Sequence, residues 1–330
     1  MLKAGLLGLG TIGSIHYSEG YKEIMAHSGP VSLEACFDIA SKNLEMVDGV
    51  RKYTDLDLFF ENEKENLDMV DICLPTFMHK EVAIKAMRNG FHVLCEKPMA
   101  LNFKDAKEMC MVSKETGKKL MIAHLLRFQK DYSVISEYIK NETLGKLRNA
   151  NSYSYGGGLP NGHNGWFKNI KLSGGPIFDV HVHVVDTLVG LLGMPDFLTS
   201  ASAGGDNGGG YTSISTNLVY DDDFCVNIFA DWASPNNRHH SSRCFRFNFE
   251  NGYIIKDVKK YTVVDNNGNV TEISTDEGGV PFQKEILYFV QSVINNTDLD
   301  LCLPDSSANA IRIIEAEIES ADNKCKKIMF

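Results

Sequence analysis

The feature that most restricts this fold is Gly8-Leu9-Gly10-Thr11-Ile12-Gly13, a G-x-G-x-x-G motif. It lies between an apolar run, Leu2 to Leu7, and an amphipathic run, Ile12 to Met25. Strand, tight turn and helix at that spacing form a phosphate cradle. Gly8 allows the turn, Gly10 admits a pyrophosphate close to the backbone, and Gly13 lets the helix pack on the strand. The helix start at Thr11 and Ile12 presents free N–H groups to the phosphates. Leu33 to Phe37 reads as the next strand, closed by Asp38. That carboxylate suits the ribose hydroxyls of an adenosine and repels a 2′-phosphate, so NAD is expected rather than NADP. Asp38 lies about five residues further from Gly13 than the usual ~20, and a longer loop at Ser28-Gly29-Pro30 absorbs the excess. Lys42 is a cation that would favour the 2′-phosphate instead. The plainer alternative is a glycine turn followed by a surface aspartate.

Alternation continues beyond the motif. Strand patterns at Met69 to Leu74, His92 to Cys95 and Leu120 to Ala123 are separated by helical patterns at His79 to Arg88 and Lys104 to Thr116. Such alternation predicts crossover connections and a mostly parallel, doubly wound sheet over residues 1–125. The pattern then changes. A helix is expected over Asp131 to Lys140, a strand over Leu147 to Tyr155, a loop over Gly156 to Gly165 and a helix over Val182 to Leu192. Strands with turns at Gly204 to Gly210, Asp221-Asp222-Asp223, Asn251-Gly252 and Asn266-Asn267-Gly268 follow. Asn-Gly between apolar runs signals hairpins, so antiparallel strands are expected over residues 197–275. Helices over Phe282 to Ile294 and Ser306 to Ala321 close the chain. Residues 126–330 thus read as an α+β domain for substrate binding and oligomerisation.

At 330 residues the chain is long enough for two cores. Its net charge of -10 argues against nucleic acid or an anionic membrane as partner. No stretch reads as apolar for long enough to span a bilayer, and the N-terminus lacks a signal-peptide layout. None of the 8 cysteines forms a Cys-x-x-Cys pair, and Cys36, Cys73 and Cys95 sit in apolar strand patterns. A reduced, cytoplasmic protein is expected. Alternating Val226, Ile228 and Ala230, with Phe245, Phe247 and Phe249, suggest an apolar sheet face. A homodimer or homotetramer packed sheet to sheet would cover it.

Several residues carry possible chemistry. Lys97 follows a strand expected to end near the cofactor, where an ammonium can stabilise a developing alkoxide. A surface lysine before a proline is the plain alternative. Asp179 and His183 are four apart, or roughly 40° on a helical wheel, and Asp186 shares their face. His181, roughly 200° from Asp179, points elsewhere. Polar groups on one stripe of an apolar helix need a function or a partner. His183 is the expected proton acceptor, Asp179 its orienting partner, and Asp186 structural. Alternatively Asp179 caps the helix and His183 is a core histidine. A metal at His181-x-His183 with Asp179 is not expected, because the two histidines diverge on a helix. Pro75, Thr76 and His79 are expected to line the cofactor cleft, although His79 can equally start a helix. Arg127 is a candidate substrate contact or a surface ion-pair partner. Trp166 and the Gly156 to Gly165 loop suit a lid, or simply a surface loop.

Together these motifs resemble the Gfo/Idh/MocA oxidoreductases. The resemblance rests on Gly8 to Gly13, Pro75-Thr76-x-x-His79, Glu96-Lys97-Pro98, Trp166 before Gly174-Gly175, and Asp179-x-x-x-His183-x-x-Asp186, in family order along nearly the whole chain. It implies a Rossmann domain followed by a domain built on a large, mostly antiparallel sheet. It implies hydride transfer between NAD and a carbinol carbon of a sugar, cyclitol or sugar derivative. Lys97 would be the catalytic lysine, Asp179 and His183 the acid–base pair, and Glu96 part of the cofactor site. Many members carry glycine where this chain has His181, so His181 is a candidate for substrate specificity. Two other functions use the same nucleotide site: an NAD-dependent glycoside hydrolase working by transient oxidation, and a non-catalytic dinucleotide sensor. A sensor would be expected to lose Lys97 or His183, and the chain keeps both.

Overall fold

A computed structural model describes residues 1–157, 163–204, 210–220, 224–234, 242–256, 261–273 and 280–330. The expected turns at Gly204 to Gly210 and Asp221 to Asp223 fall largely outside these residues. The chain forms two compact units, Met1–Phe128 with Gly278–Ala308, and Gln129–Glu277 with Asn309–Phe330.

In the first unit, strands β1 (Leu2–Leu7), β2 (Val31–Phe37), β3 (Arg51–Tyr53), β4 (Met69–Ile72), β5 (His92–Glu96) and β6 (Leu120–Ala123) form a 6-stranded sheet. Its order is β3-β2-β1-β4-β5-β6, with every pairing parallel. Order reverses between β1 and β4, which places the ligand crevice of a doubly wound sheet at the carboxyl ends of these strands. Strand β4 is buried throughout, as a central parallel strand must be. Helix Phe103–Thr116 starts where the Asn102 side chain accepts the Asp105 N–H, and stops at Gly117 with φ 66°.

The polypeptide returns to this unit near its end, a return the sequence division at 125/126 did not contain. Helix Pro281–Asn295 inserts Ile286, Phe289 and Val290 among Leu6, Leu9, Met69 and Leu94, all buried. A Cβ on Gly20 would come within 2.5 Å of Ile286 Cδ1, so this glycine sets the close approach. Helix Leu56–Glu63 and strand β3 were also absent from the sequence expectation.

The second unit is built on β7 (Leu147–Gly157), β8 (Phe197–Ala203), β9 (Ser213–Tyr220), β10 (Phe224–Ser234), β11 (Ser242–Phe249), β12 (Gly252–Lys256), β13 (Tyr261–Asp265), β14 (Val270–Ile273) and β15 (Ile328–Met329). The order is β14-β13-β12-β11-β7-β10-β9-β8-β15, antiparallel except for β7 with β10. The expected Asn251-Gly252 turn joins β11 to β12, and Asn266 to Gly268 join β13 to β14.

Val226, Ile228, Ala230, Phe245, Phe247 and Phe249 are all buried in the unit's own core. They therefore do not form the intermolecular face expected of them. Alternation puts them on the side covered by helices Val182–Leu192 and Pro304–Asp322, where Ser320 Oγ accepts the Ser200 N–H at 2.7 Å. The opposite face carries exposed Tyr153, Tyr155, Cys225 and Asn227. One helical run, Ile170–Leu192, is long and apolar enough to cross a membrane, contrary to the sequence reading, and 61% of its most apolar window is buried. Core burial accounts for that hydropathy, and Gly174 and Gly175, with φ 74° and 73°, interrupt the run. All cysteines are free.

Candidate active site

The nucleotide cradle follows from β1. Gly8 adopts φ 94° and its N–H donates to Phe37 O at 2.8 Å. A Cβ there would lie 2.6 Å from Cys73 O, and one on Gly13 would lie 1.9 Å from Gly8 O. Gly10 has open space within 4 Å on its Cβ side, and Thr11 beside it is exposed. The crowded glycines shape the turn, while the open one leaves room for a phosphate.

Asp38 fastens the cradle to the turn after β2. Its Oδ2 accepts the Leu9 N–H at 2.7 Å and its Oδ1 the Ala40 N–H at 2.8 Å. A carboxylate has about four acceptor positions, so capacity remains for ribose hydroxyls. These residues fit a bound dinucleotide.

The helix leaving the cradle is α-helical over Thr11–Ile15, π-helical over His16–Tyr21 and α-helical again over Lys22–Ala26. His16 opens the wider turn and is fully buried. Its Nδ1 lies 2.8 Å from Asp71 Oδ2, and its Nε2 lies 3.1 Å from Glu96 Oε1 and 3.8 Å from Glu285 Oε1. Burial opposes the imidazolium, but Cys73 and Asp71 together raise its pKa well above the histidine range. Burial also pushes up the Cys73 thiol, which stays neutral, so the Asp71 carboxylate is the effective partner. Burial raises the Glu285 pKa well above the carboxylate range, against the pull of His16. For Glu96 burial is outweighed by hydrogen bonding to His16 and by positive charge, so its pKa falls.

His16, Asp71 and Cys73, and separately His16, Glu96 and Glu285, bring possible metal-ligating atoms within 4.8 Å. The 2.8 and 3.1 Å separations are those of direct hydrogen bonds.

This network ends at the proposed catalytic turn. Glu96 Oε2 accepts the Lys97 N–H at 2.9 Å, and the Lys97–Pro98 peptide is cis. Lys97 itself is half-buried. Thr76 is buried, and Pro75 is half-buried at the turn after β4. His79 starts helix His79–Arg88 but is 1% exposed, its ring spanning Pro98 O and Leu74 O at 2.8 Å each. It staples the turn after β4 to that after β5. Burial lowers its pKa against the two carbonyl hydrogen bonds.

In the second unit Asp179 lies in a second π-helical stretch, Ile177–His181, which leads into helix Val182–Leu192. π-Turns concentrate at functional sites. Asp179 and His183 are half-buried, and Asp186 is buried. A Cβ on Gly174 would lie 2.4 Å from the Phe178 ring, so glycine lets the entering turn close.

His181 corrects the substrate expectation. It is fully buried, and its Nε2 lies 3.1 and 3.0 Å from the two Glu317 oxygens. Arg127 is corrected likewise: it is 4% exposed and donates to Leu301 O at 3.0 Å and Ser306 Oγ at 2.8 Å. Trp166 stacks on Phe167 with centroids 3.9 Å apart, while residues 158–162 of the expected lid lie outside the described residues. Sequence reading missed His16, Asp71 and Glu285. An aspartate inside the apolar run Met69 to Leu74 was the available signal, because a buried charge demands a partner.

Comparison with known proteins identifies the family and the fold. The oxidoreductase family model with an NAD-binding Rossmann fold, GFO_IDH_MocA, matches residues 2–124, and the GFO/IDH/MocA C-terminal domain model matches residues 132–255. The 2,7-anhydro-N-acetylneuraminate hydratase of Escherichia coli K12 is 32% identical over 40% of this chain and 36% of its own length. The myo-inositol 2-dehydrogenase of Thermotoga maritima is 31% identical over 56% of this chain and 53% of its own. These alignments thus span about a third to a half of each relative.

Among solved structures, a levoglucosan dehydrogenase in complex with NADH and levoglucosan superposes with TM-score 0.86 at 17% identity, covering 99% of this chain and 98% of its own. The aldose-aldose oxidoreductase of Caulobacter crescentus, complexed with glycerol, gives 0.84 at 19%, covering 100% and 99%. Those likenesses speak to the fold, and the two family models cover both units: the chain belongs to the GFO/IDH/MocA oxidoreductase family, with its NAD-binding Rossmann fold.

Proposed function

We propose that the protein is an NAD-dependent dehydrogenase or reductase acting on a CH–OH group of a sugar, cyclitol or sugar derivative. The observation that carries this reading is the placement of Lys97. It follows β5 at the carboxyl edge of the same parallel sheet whose β1 ends in the glycine cradle, and Glu96 holds its backbone N–H at 2.9 Å.

Bound NAD supplies the hydride acceptor. Gly8, Gly10 and Gly13, with the helix start at Thr11 and Ile12, cradle its phosphates. Asp38 accepts from the ribose hydroxyls, and Pro75, Thr76 and His79 shape the adjoining turn. The Lys97 ammonium donates to the substrate oxygen and stabilises negative charge as its proton leaves. His183 takes that proton, and Asp179 orients the imidazole or holds the substrate. In reduction the same groups work in reverse. Reduced cysteines support a cytoplasmic location. We further propose a homodimer or homotetramer assembled through the exposed sheet face around Tyr153 and Tyr155.

A second reading is favoured by relatives named as hydratases in Escherichia coli and Mediterraneibacter gnavus. In it, oxidation is transient and the cofactor returns to its starting state. Incubating the protein with NAD and a panel of inositols, aldoses, polyols and sugar acids separates the two. A dehydrogenase accumulates NADH, whereas transient oxidation changes the substrate without net NADH. No change in either would overturn both.

A further inference from the structure

The helix-facing side of the second unit's sheet holds a cation, Arg243, with no ion-pair partner among the described residues. Arg243 lies on β11 in register with Ser154 of β7, which pairs in turn with Ala230 of β10. It shares the inward alternation of Phe245, Phe247 and Phe249, all buried. Its Nε is buried and meets no hydrogen-bond acceptor among the described residues.

Among the described residues the nearby charges do not balance. Asp131, at the start of helix Lys130–Lys140, accepts from Lys256 Nζ at 3.2 Å and from the Tyr261 hydroxyl. Asp131 thus has Lys256 as its ion-pair partner and also acts electrostatically on Arg243. Burial acts against the Arg243 charge, with Asp131 as the opposing influence. Arg243 is half-buried, and a ligand reaching its Nε would supply the acceptor that the described residues do not.

Within the same unit, this sheet face also leads toward Asp179. Gly156 lies two residues beyond Ser154 on the same face of β7, and a Cβ there would sit 3.9 Å from Val180 Cγ1. Val180 follows Asp179 directly. From strand spacing, Arg243 and Gly156 are about 8 Å apart at Cα, one strand and one same-face step. Ser152, another inward residue of β7, contributes a buried hydroxyl without a partner among the described residues.

We propose that Arg243 forms an anion subsite that binds the carboxylate of an acidic sugar or polyhydroxy acid beside Asp179. This rests on the dehydrogenase reading for the catalytic turn, but the subsite itself is a matter of binding. A single positive charge suits a monoanionic carboxylate better than a dianionic phosphate, and the guanidinium fork matches a carboxylate bidentately.

The test is calorimetric titration of the full-length protein, saturated with NADH, with D-glucuronate, D-galacturonate, D-gluconate, D-glucose and D-glucose 6-phosphate. At least one carboxylate is expected to bind about ten- to a hundredfold more tightly than D-glucose, the range for a charge-assisted hydrogen bond. Arg243→Gln should abolish that preference and Arg243→Lys should retain part of it, with NADH binding unchanged and circular dichroism reporting the fold. Three results would overturn the subsite: carboxylates binding no better than D-glucose, the phosphate ester binding best, or a folded Arg243→Gln protein keeping the preference. Carboxylate binding here, with no change of NADH or substrate for any member of the NAD panel, would leave the subsite standing and remove the dehydrogenase reading instead.

Discussion

His16 and Glu96, 80 positions apart in the chain, meet with Nε2 3.1 Å from Oε1. Through the other oxygen of Glu96, which holds the Lys97 N–H at 2.9 Å, the first helix of the nucleotide fold fixes the backbone of the proposed catalytic turn. Glu96 is in this sense a positioning residue. Glu96→Gln keeps an acceptor but loses the charge that pairs with His16. It is expected to lower kcat about tenfold or more, since small misplacement near a reacting centre can cost ~10²-fold. KM and NADH affinity should change little. A variant with normal kcat would show that Lys97 is placed without Glu96.

The same cluster makes stability depend on pH. The folded pKa of His16 lies well above the ordinary 6.5. Its contribution is therefore full below about pH 6.5 and is lost as pH rises through the folded value. Glu285, raised by burial, acts with the same sign, because the folded state holds a proton that the unfolded state releases. Glu96, whose pKa is lowered, acts oppositely and loses its contribution as pH falls through its folded value. Denaturant unfolding from about pH 6 to about pH 9 should show declining stability. His16→Asn should flatten that decline while lowering stability at the acidic end. An unchanged slope in a folded His16→Asn protein would contradict the assignment.

Cofactor choice is expected to follow Asp38. A 2′-phosphate beside this carboxylate is a like-charge contact that can cost several kcal/mol. The wild-type protein should bind NADH much more tightly than NADPH, and Asp38→Ala should narrow the gap while weakening NADH, because Leu9 N–H loses its acceptor. Fluorescence titration of both cofactors reads this directly. Equal affinities in the wild type would mean that Lys42 or another cation overrides Asp38.

The return of the chain to the first unit predicts where stability resides. Phe289 is fully buried among residues of that unit's core. Phe289→Ala should destabilise by about 3–5 kcal/mol, seen as a lower denaturant midpoint. A loss below about 1 kcal/mol would mean the helix contributes little to that core.

What the sequence revealed tracks the range of each interaction. Gly8 to Gly13, the apolar runs of β1, β4 and β6, and helices such as His79–Arg88 are local patterns, and the structure has them where expected. Asn251-Gly252 marked its hairpin for the same reason. The buried cluster was not legible, because Glu285 joins His16 and Asp71 only when the last part of the chain folds back. The wheel used for Asp179 and His183 assumed α-helical spacing, whereas Asp179 sits in a π-helical turn. His181 and Arg127 look like ligands in one dimension, and only Glu317, Leu301 and Ser306 show them to be occupied. Alternation identified the apolar side of the sheet at Val226 to Ala230, but not that the chain's own helices cover it.

The most direct test of the central claim is the initial rate of NADH formation by Lys97→Ala, at saturating NAD, on the best substrate from the panel. The account predicts a folded variant with NADH affinity close to wild type and kcat lower by about 10²–10⁴-fold. His183→Ala should fall by a comparable factor and lose the rise of rate with pH that an unprotonated histidine base requires. A folded Lys97→Ala protein that forms NADH at close to the wild-type rate would contradict the account.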